Sequence, residues 1–199
     1  TCLVTILATI IPAASQAGTV TYEMVTVGNA GNANDTTGYG GVAYDYQIGK
    51  YEVTISQYAD FLNAAAKSDP YGLYDGRMAT NLAVAGISRT GSSGSYVYSI
   101  LAPAGSTPTG ANSPGERPIV FVNWFSAARF ANWMQNGQGQ GNTEDGAYTL
   151  NGAVSGAAPA RNANSVFYIP TENEWYKAAY YDPSKDSGTA VSYTHLRAH

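Results

Sequence analysis

Two capping boxes constrain this chain more than any other feature of its sequence. Thr54-Ile55-Ser56-Gln57 and Thr171-Glu172-Asn173-Glu174 each set a hydroxyl residue three positions ahead of a Gln or Glu. In that pattern side chain and backbone close the first helical turn reciprocally. Behind the first box, Tyr58, Phe61, Leu62 and Ala65 recur at i, i+3, i+4 and i+7 and predict one amphipathic helix. Behind the second, Trp175, Ala178 and Ala179 predict a short helix face, with Trp175 burying the helix. Between these points the chain is broken by Gly, Pro, Ser and Asn clusters at 29–41, 90–95, 103–115 and 137–146. So much irregular chain in one domain is uncommon and often functional. It predicts a loop-built surface on a small scaffold.

A third helix start is Asn123, a natural N-cap. Trp124, Ala127, Ala128, Ala131 and Met134 predict one face of a helix running to about Asn136. Strands are expected at 19–27, 42–48, 51–53, 96–101 and 166–169, and a short buried one at 119–122. Asn151-Gly152 predicts a type I′ turn within a small hairpin over 148–154. Asn34-Asp35-Thr36 is formally a glycosylation sequon, but in such a loop it reads as a turn. No internal repeat stands out.

Composition removes whole classes of function. Charged residues are 12% of the 199, against roughly 25% in an average domain, and the net charge is -4. No basic stripe exists to neutralise phosphates, so nucleic acid is not an expected partner. The aromatic content, with 16 Tyr, does not fit a disordered chain. A single Cys forbids an intrachain disulfide or a thiolate zinc cluster. Both His residues lie in the last five positions, which removes a histidine triad or metal site from the body.

The two ends read differently from the middle. Cys2 to Ile11 is apolar and too short to span a bilayer. Small residues at 15 and 17 fit a cleavage site, so residues 1–17 are expected to be a signal peptide and the protein to be exported (periplasmic, cell-surface or extracellular). The alternative is a buried N-terminal strand or helix. Residues 18–191 then form the domain. Ser192 to His199 follows no earlier pattern and resembles a translated adapter sequence, so 192–199 is expected to be a foreign tail. His195 and His199 sit four apart, but no Glu stands between them at the position a zinc-binding helix requires.

The chemistry-bearing residues form no recognisable centre. Glu144-Asp145 is expected to be solvated, and Glu172 with Glu174 to serve the cap and helix dipole. The glycine runs at 38–41 and 137–141 lack the Lys-Ser/Thr of a phosphate loop. Asp, Asn and Gly in loops can ligate calcium, but no spaced Asp-x-Asp-x-Asp loop appears, so calcium stays a generic possibility. The Tyr and Trp residues either line a carbohydrate- or peptide-binding surface or fill an aromatic core. Helical spacing favours the core for Trp124, Trp133 and Trp175.

Three segments in order resemble a known family. They are Tyr51-Glu52-Val53-Thr54 running into Gln57 to Asn63, Arg117 to Trp124 with Phe130 to Trp133, and Ile169 to Trp175 with Ala178-Ala179. Together, over about residues 22–182, they look like the formylglycine-generating enzyme family, or sulfatase-modifying factor domain, and in detail like its exported bacterial subgroup. The resemblance implies an α+β, C-type-lectin-like, loop-rich fold, incomplete here at the C-terminus. The absent part is expected to supply strands and core for the helices at 124–136 and 172–180. The resemblance also implies oxidation of a substrate cysteine to formylglycine, done in the best-known members by a cysteine pair that binds copper. Here the later "GN-x-W-E-W" and "RGGSW" segments are absent, and the family's calcium ligands fall largely in that part. No catalytic, cofactor-binding or metal residue is therefore assigned. No cofactor is expected in this chain, while copper and calcium are implied for the full-length protein. This chain alone is expected to be inactive. A non-catalytic lectin-like binding module on the same scaffold is the alternative. The expected partner is an exported protein or a glycan, and no membrane span is expected.

Overall fold

In the computed structural model, Thr54 opens the first helix as its box requires. Its side chain accepts from the Gln57 backbone N–H, and the Gln57 side chain accepts from the Thr54 N–H at 2.8 Å. The helix, α1, runs Ile55–Ala65 and buries Ile55, Tyr58, Ala59, Phe61, Leu62 and Ala64. The structure describes residues 20–81, 84, 86–101 and 113–181. The expected signal peptide, the expected tail with both His residues, Cys2, and most of the 103–115 cluster lie outside these.

The other elements are short. β1 (Met24–Val27) pairs antiparallel with β2 (Tyr46–Gly49), Met24 opposite Gly49 and Val27 opposite Tyr46. A single-turn helix α2 (Arg77–Thr80) precedes a second hairpin, β3 (Ile87–Thr90) with β4 (Val97–Ile100). A 3-10 turn covers Pro114–Glu116. Helix α3 is Trp124–Gln135 and α4 is Glu172–Tyr180. Helices and two small antiparallel sheets make a mixed α+β chain. Among the described residues no helix is long and apolar enough to cross a membrane.

The expected strands are trimmed or replaced. Those at 19–27, 42–48 and 96–101 survive as four-residue strands. The expected strands at 51–53 and 119–122 reduce to one isolated bridge, Thr54 to Pro118. Phe121 takes the left-handed region, φ 62°, which no ladder accommodates. At 166–169 side chains replace a partner strand: the Gln135 amide oxygen accepts from the Val166 and Phe167 N–H groups at 2.8 and 3.1 Å. The Tyr148 hydroxyl accepts from Ile169 N–H at 3.0 Å. Asn151 and Gly152 have φ 49° and 82°, as a type I′ turn requires, closed by Ala153 N–H to Leu150 O at 2.9 Å. No strands flank that turn. The sequon is indeed a turn, with Gly38 N–H donating to Asp35 O at 3.0 Å.

Helix α3 lies between two cores and corrects the expectation of a single apolar face. Phe130, Trp133 and Met134 join the core built on α1, Met78, Ile87 and Tyr98. Phe125, Ala128 and Ala131 join Ala147, Tyr148 and Leu150 on the other side. Arg129 and Asn132 are buried as well. Asn132 behaves as a surrogate strand: its Nδ2 donates to Thr143 O and Tyr148 O, and its Oδ1 accepts from Tyr148 N–H, each at 2.8 Å.

Candidate functional site: an aromatic-walled groove beside α4

The two ends of the scaffold meet around a groove of about 360 Å³. Tyr22 and Met24, two apart on the chain leading into β1, point to the same side and form one wall. Phe130 and Met134 of α3 form the floor. Tyr168 and Pro170, ahead of α4, form the far wall, and Tyr51 and Trp175 stand at the rim. Those two rim rings are 50% and 46% exposed. A pocket of this volume lies within the usual range for ligand sites, which are mostly apolar with a few polar groups.

Trp175 therefore does not bury its helix. Of the three tryptophans, Trp133 is fully buried and Trp124 is half-buried against Phe125 and Tyr148, both at 5.1 Å between ring centroids. Trp175 is turned outward, touching Tyr180 edge-on at 5.9 Å. The buried residues of α4 are Glu174 and Lys177, the reverse of what its apolar spacing predicts.

The reason is the loop over residues 29–46, which packs on α4 through polar groups. Tyr44 Oη donates to Glu174 Oε1 at 2.6 Å, and Tyr46 Oη donates to the Glu174 carbonyl. Gly40 N–H donates to Asn173 Oδ1 at 3.0 Å, and Tyr176 Oη donates to Asp35 Oδ2 at 2.8 Å. Lys177 Nζ donates to the Asn29 carbonyl at 3.0 Å, and Asn29 Nδ2 donates to Tyr181 Oη. Arg161 reaches Glu174 at 3.4 Å and lies over the Tyr168 ring at 3.8 Å. Buried charges persist only when paired or well hydrogen-bonded. Burial raises the Glu174 carboxyl, but the Tyr44 hydroxyl, Thr171 and Arg161 outweigh it and hold it below its ordinary value. Burial lowers the Lys177 ammonium, and Asp45 partly offsets this.

The acid pairs are placed apart from the groove. Glu144 is not a solvated loop carboxylate: it pairs with buried Arg129 at 2.6 Å and accepts from Gly152 N–H at 2.7 Å. Asp145 accepts from the Thr149 hydroxyl at 2.7 Å. Glu172 is exposed, and Glu174 closes the second capping box, accepting from Thr171 N–H at 2.7 Å. None of the four lines the groove. Among the described residues no group of three or more His, Cys, Asp or Glu side chains could hold a metal ion. The groove itself was missed in the sequence, because its walls come mainly from residues 22–24, 48–53, 119–134 and 167–175, which read as separate strands and helices. The outward aromatics within those motifs were the available signal.

At the base of the groove the Tyr22 hydroxyl is buried with no hydrogen-bond partner among the described residues, and burial pushes its phenol up. The ring is held edge-on to Phe130 at 6.4 Å.

The comparisons agree with the three-segment resemblance. No curated protein and no solved structure gives a significant match. A match to a protein-family description, the sulfatase-modifying factor enzyme 1-like domain, spans residues 16–190. That is most of the chain, and it includes both capping boxes, α3 and the groove. The chain belongs to the sulfatase-modifying factor family.

Proposed function

We propose that this chain is the recognition scaffold of an exported member of the family, on a C-type-lectin-like fold, with the class activity of oxidising a substrate cysteine to formylglycine. The groove carries this reading. It is an apolar slot with exposed aromatic rims, a shape that accepts side chains of an extended segment of an exported partner protein. In this reading the catalytic cysteine segment lies outside these 199 residues. Cys2 is the one cysteine, so the sequence cannot furnish the two thiolates of the family's copper site. Among the described residues no three His, Cys, Asp or Glu side chains come together to hold copper or calcium. In this reading both belong to the full-length protein.

The test is to read the gene beyond residue 191 and express the whole chain. Incubation with a cysteine-containing sulfatase peptide is then followed by mass spectrometry, with a hydrazine to trap an aldehyde. Two downstream cysteines together with a trapped aldehyde support the reading. A whole domain without them, giving no aldehyde, overturns it.

The second reading is a non-catalytic, lectin-like binding module on the same scaffold. The exposed rings of Tyr39, Tyr44, Tyr51 and Trp175 favour it, since aromatic faces outside a core serve recognition. Saturable binding on a glycan panel, lost on Trp175→Ala, supports this reading over the first.

A further inference from the structure

Among the described residues the lining of the groove has one charged side chain, and it is negative. Glu52 stands exposed among rings and aliphatic groups, with no ion-pair or hydrogen-bond partner among the described residues. The neighbouring charges are already answered: Lys50 pairs with Glu23 at 2.6 Å, and Arg161 pairs with Glu174 at 3.4 Å.

Two of the groove's rings already attract cations from this chain. The Lys50 ammonium lies 5.3 Å from the Tyr51 centroid, and the Arg161 guanidinium lies 3.8 Å from that of Tyr168. Trp175 has the ring type that attracts cations most strongly, is about half exposed at the rim, and carries no cation among the described residues. Anions are opposed by Glu52 and by the negative faces of the rings. A strongly hydrated inorganic cation gains little from apolar walls. Charge and surface together select a cation that carries its own apolar body.

We propose that this groove binds an organic cation of the quaternary or alkylated ammonium class, with Trp175 facing the charge, Glu52 complementing it at the mouth, and the apolar body against Phe130 and Met134. The proposal uses the same groove as the proposed function but does not rest on its catalytic activity.

The experiment is isothermal titration of the full chain with choline and with 3,3-dimethylbutan-1-ol, its uncharged isostere with carbon in place of nitrogen. Saturable binding of choline is expected, with the isostere weaker by about tenfold. Trp175→Leu keeps apolar bulk at an exposed position and removes the ring; Glu52→Gln removes the charge. Each should weaken choline several-fold while far-UV circular dichroism and the thermal midpoint stay unchanged. Equal binding of the two probes, no saturable choline binding at millimolar concentration, or full affinity in Trp175→Leu would each overturn the proposal. A catalytic failure of the full-length protein leaves these outcomes unaffected, so the two readings fail separately.

Discussion

Arg129, wholly buried in α3, meets the Glu144 carboxylate through two hydrogen bonds, Nε to Oε1 at 2.6 Å and Nη2 to Oε2 at 3.1 Å. Its guanidinium also lies 4.0 Å from the Tyr71 ring centroid. Glu144 in turn accepts from Gly152 N–H and so ties the Asn151-Gly152 turn to the helix. Removing one partner strands a buried charge, which costs more than the pair itself contributes. Glu144→Ala should lower the unfolding free energy by about 3 kcal/mol, read from urea denaturation. Arg129→Met in the Glu144→Ala background should recover part of the loss. A Glu144→Ala midpoint equal to wild type would show that water replaces the carboxylate.

The two capping boxes separate under the same measurement. Thr54→Ala removes a cap on an otherwise well-packed helix and should cost about 1 kcal/mol. Thr171→Ala removes a cap whose N3 partner, Glu174, is buried and also accepts from Tyr44. It should cost more than Thr54→Ala. Equal losses would mean that the Tyr44 and Arg161 contacts alone hold Glu174.

These boxes also mark how far the sequence could be read. Capping is local, so Thr54, Asn123 and Thr171 could be placed from neighbours three residues away, and the structure uses all three. The order of motifs carried the family. Burial is not local. Trp175 looked like a core residue from its spacing, yet the 29–46 loop reaches α4 from more than a hundred residues away and takes the polar side instead. Arg129 and Asn132 lie outside the apolar face expected for α3, yet a second core and an irregular loop close over them. Strand β3 went unread because Ile87-Ser88-Arg89-Thr90 is short and is defined by its pairing with β4. The groove was hidden for the same reason, since four distant segments build it.

Phe121 tests a strained backbone position. Its φ of 62° is unfavourable for a bulky residue, while its ring packs on the first core under the Arg77 guanidinium at 4.7 Å. Phe121→Ala loses the ring and keeps the strain. Phe121→Gly loses the ring and relieves it, so it should be about 1 kcal/mol more stable than Phe121→Ala in thermal unfolding. The opposite order would mean that chain entropy of the unfolded state outweighs the strain.

Gly86 tests a close approach. A Cβ there would fall 2.3 Å from Ile55 Cδ1, at the buried start of α1. Gly86→Ala should destabilise by about 2 kcal/mol through overpacking. Ile55→Ala should cost a similar amount by leaving a cavity. Because the new methyl occupies the space that Ile55 leaves, the double variant should be more stable than the sum of the single losses predicts. Strict additivity in the double-mutant cycle would place the two side chains out of contact.

Glu174 and Lys177 set opposite flanks of the pH profile. The Glu174 carboxyl titrates below its ordinary value of 4.5 in the folded chain, so on acidification the unfolded chain takes up that proton first. Its contribution to stability is complete above pH 4.5 and is lost as pH falls through the folded value. Lys177 titrates below its ordinary 10.5, so between its folded value and 10.5 the unfolded chain holds more protons and stability rises with pH. Buried tyrosines such as Tyr46 and Tyr58 are held above their ordinary 10.0, so their ionisation in the unfolded chain opposes this rise. Urea midpoints measured across pH should fall less steeply on the acid side in Glu174→Gln than in wild type. On the alkaline side the Lys177 contribution should be lost in Lys177→Met, whose midpoints should fall more steeply with pH than those of wild type. An acid limb of unchanged slope in Glu174→Gln would assign acid sensitivity to other carboxylates, with Asp75, held at about 2 by Arg77, the first to examine.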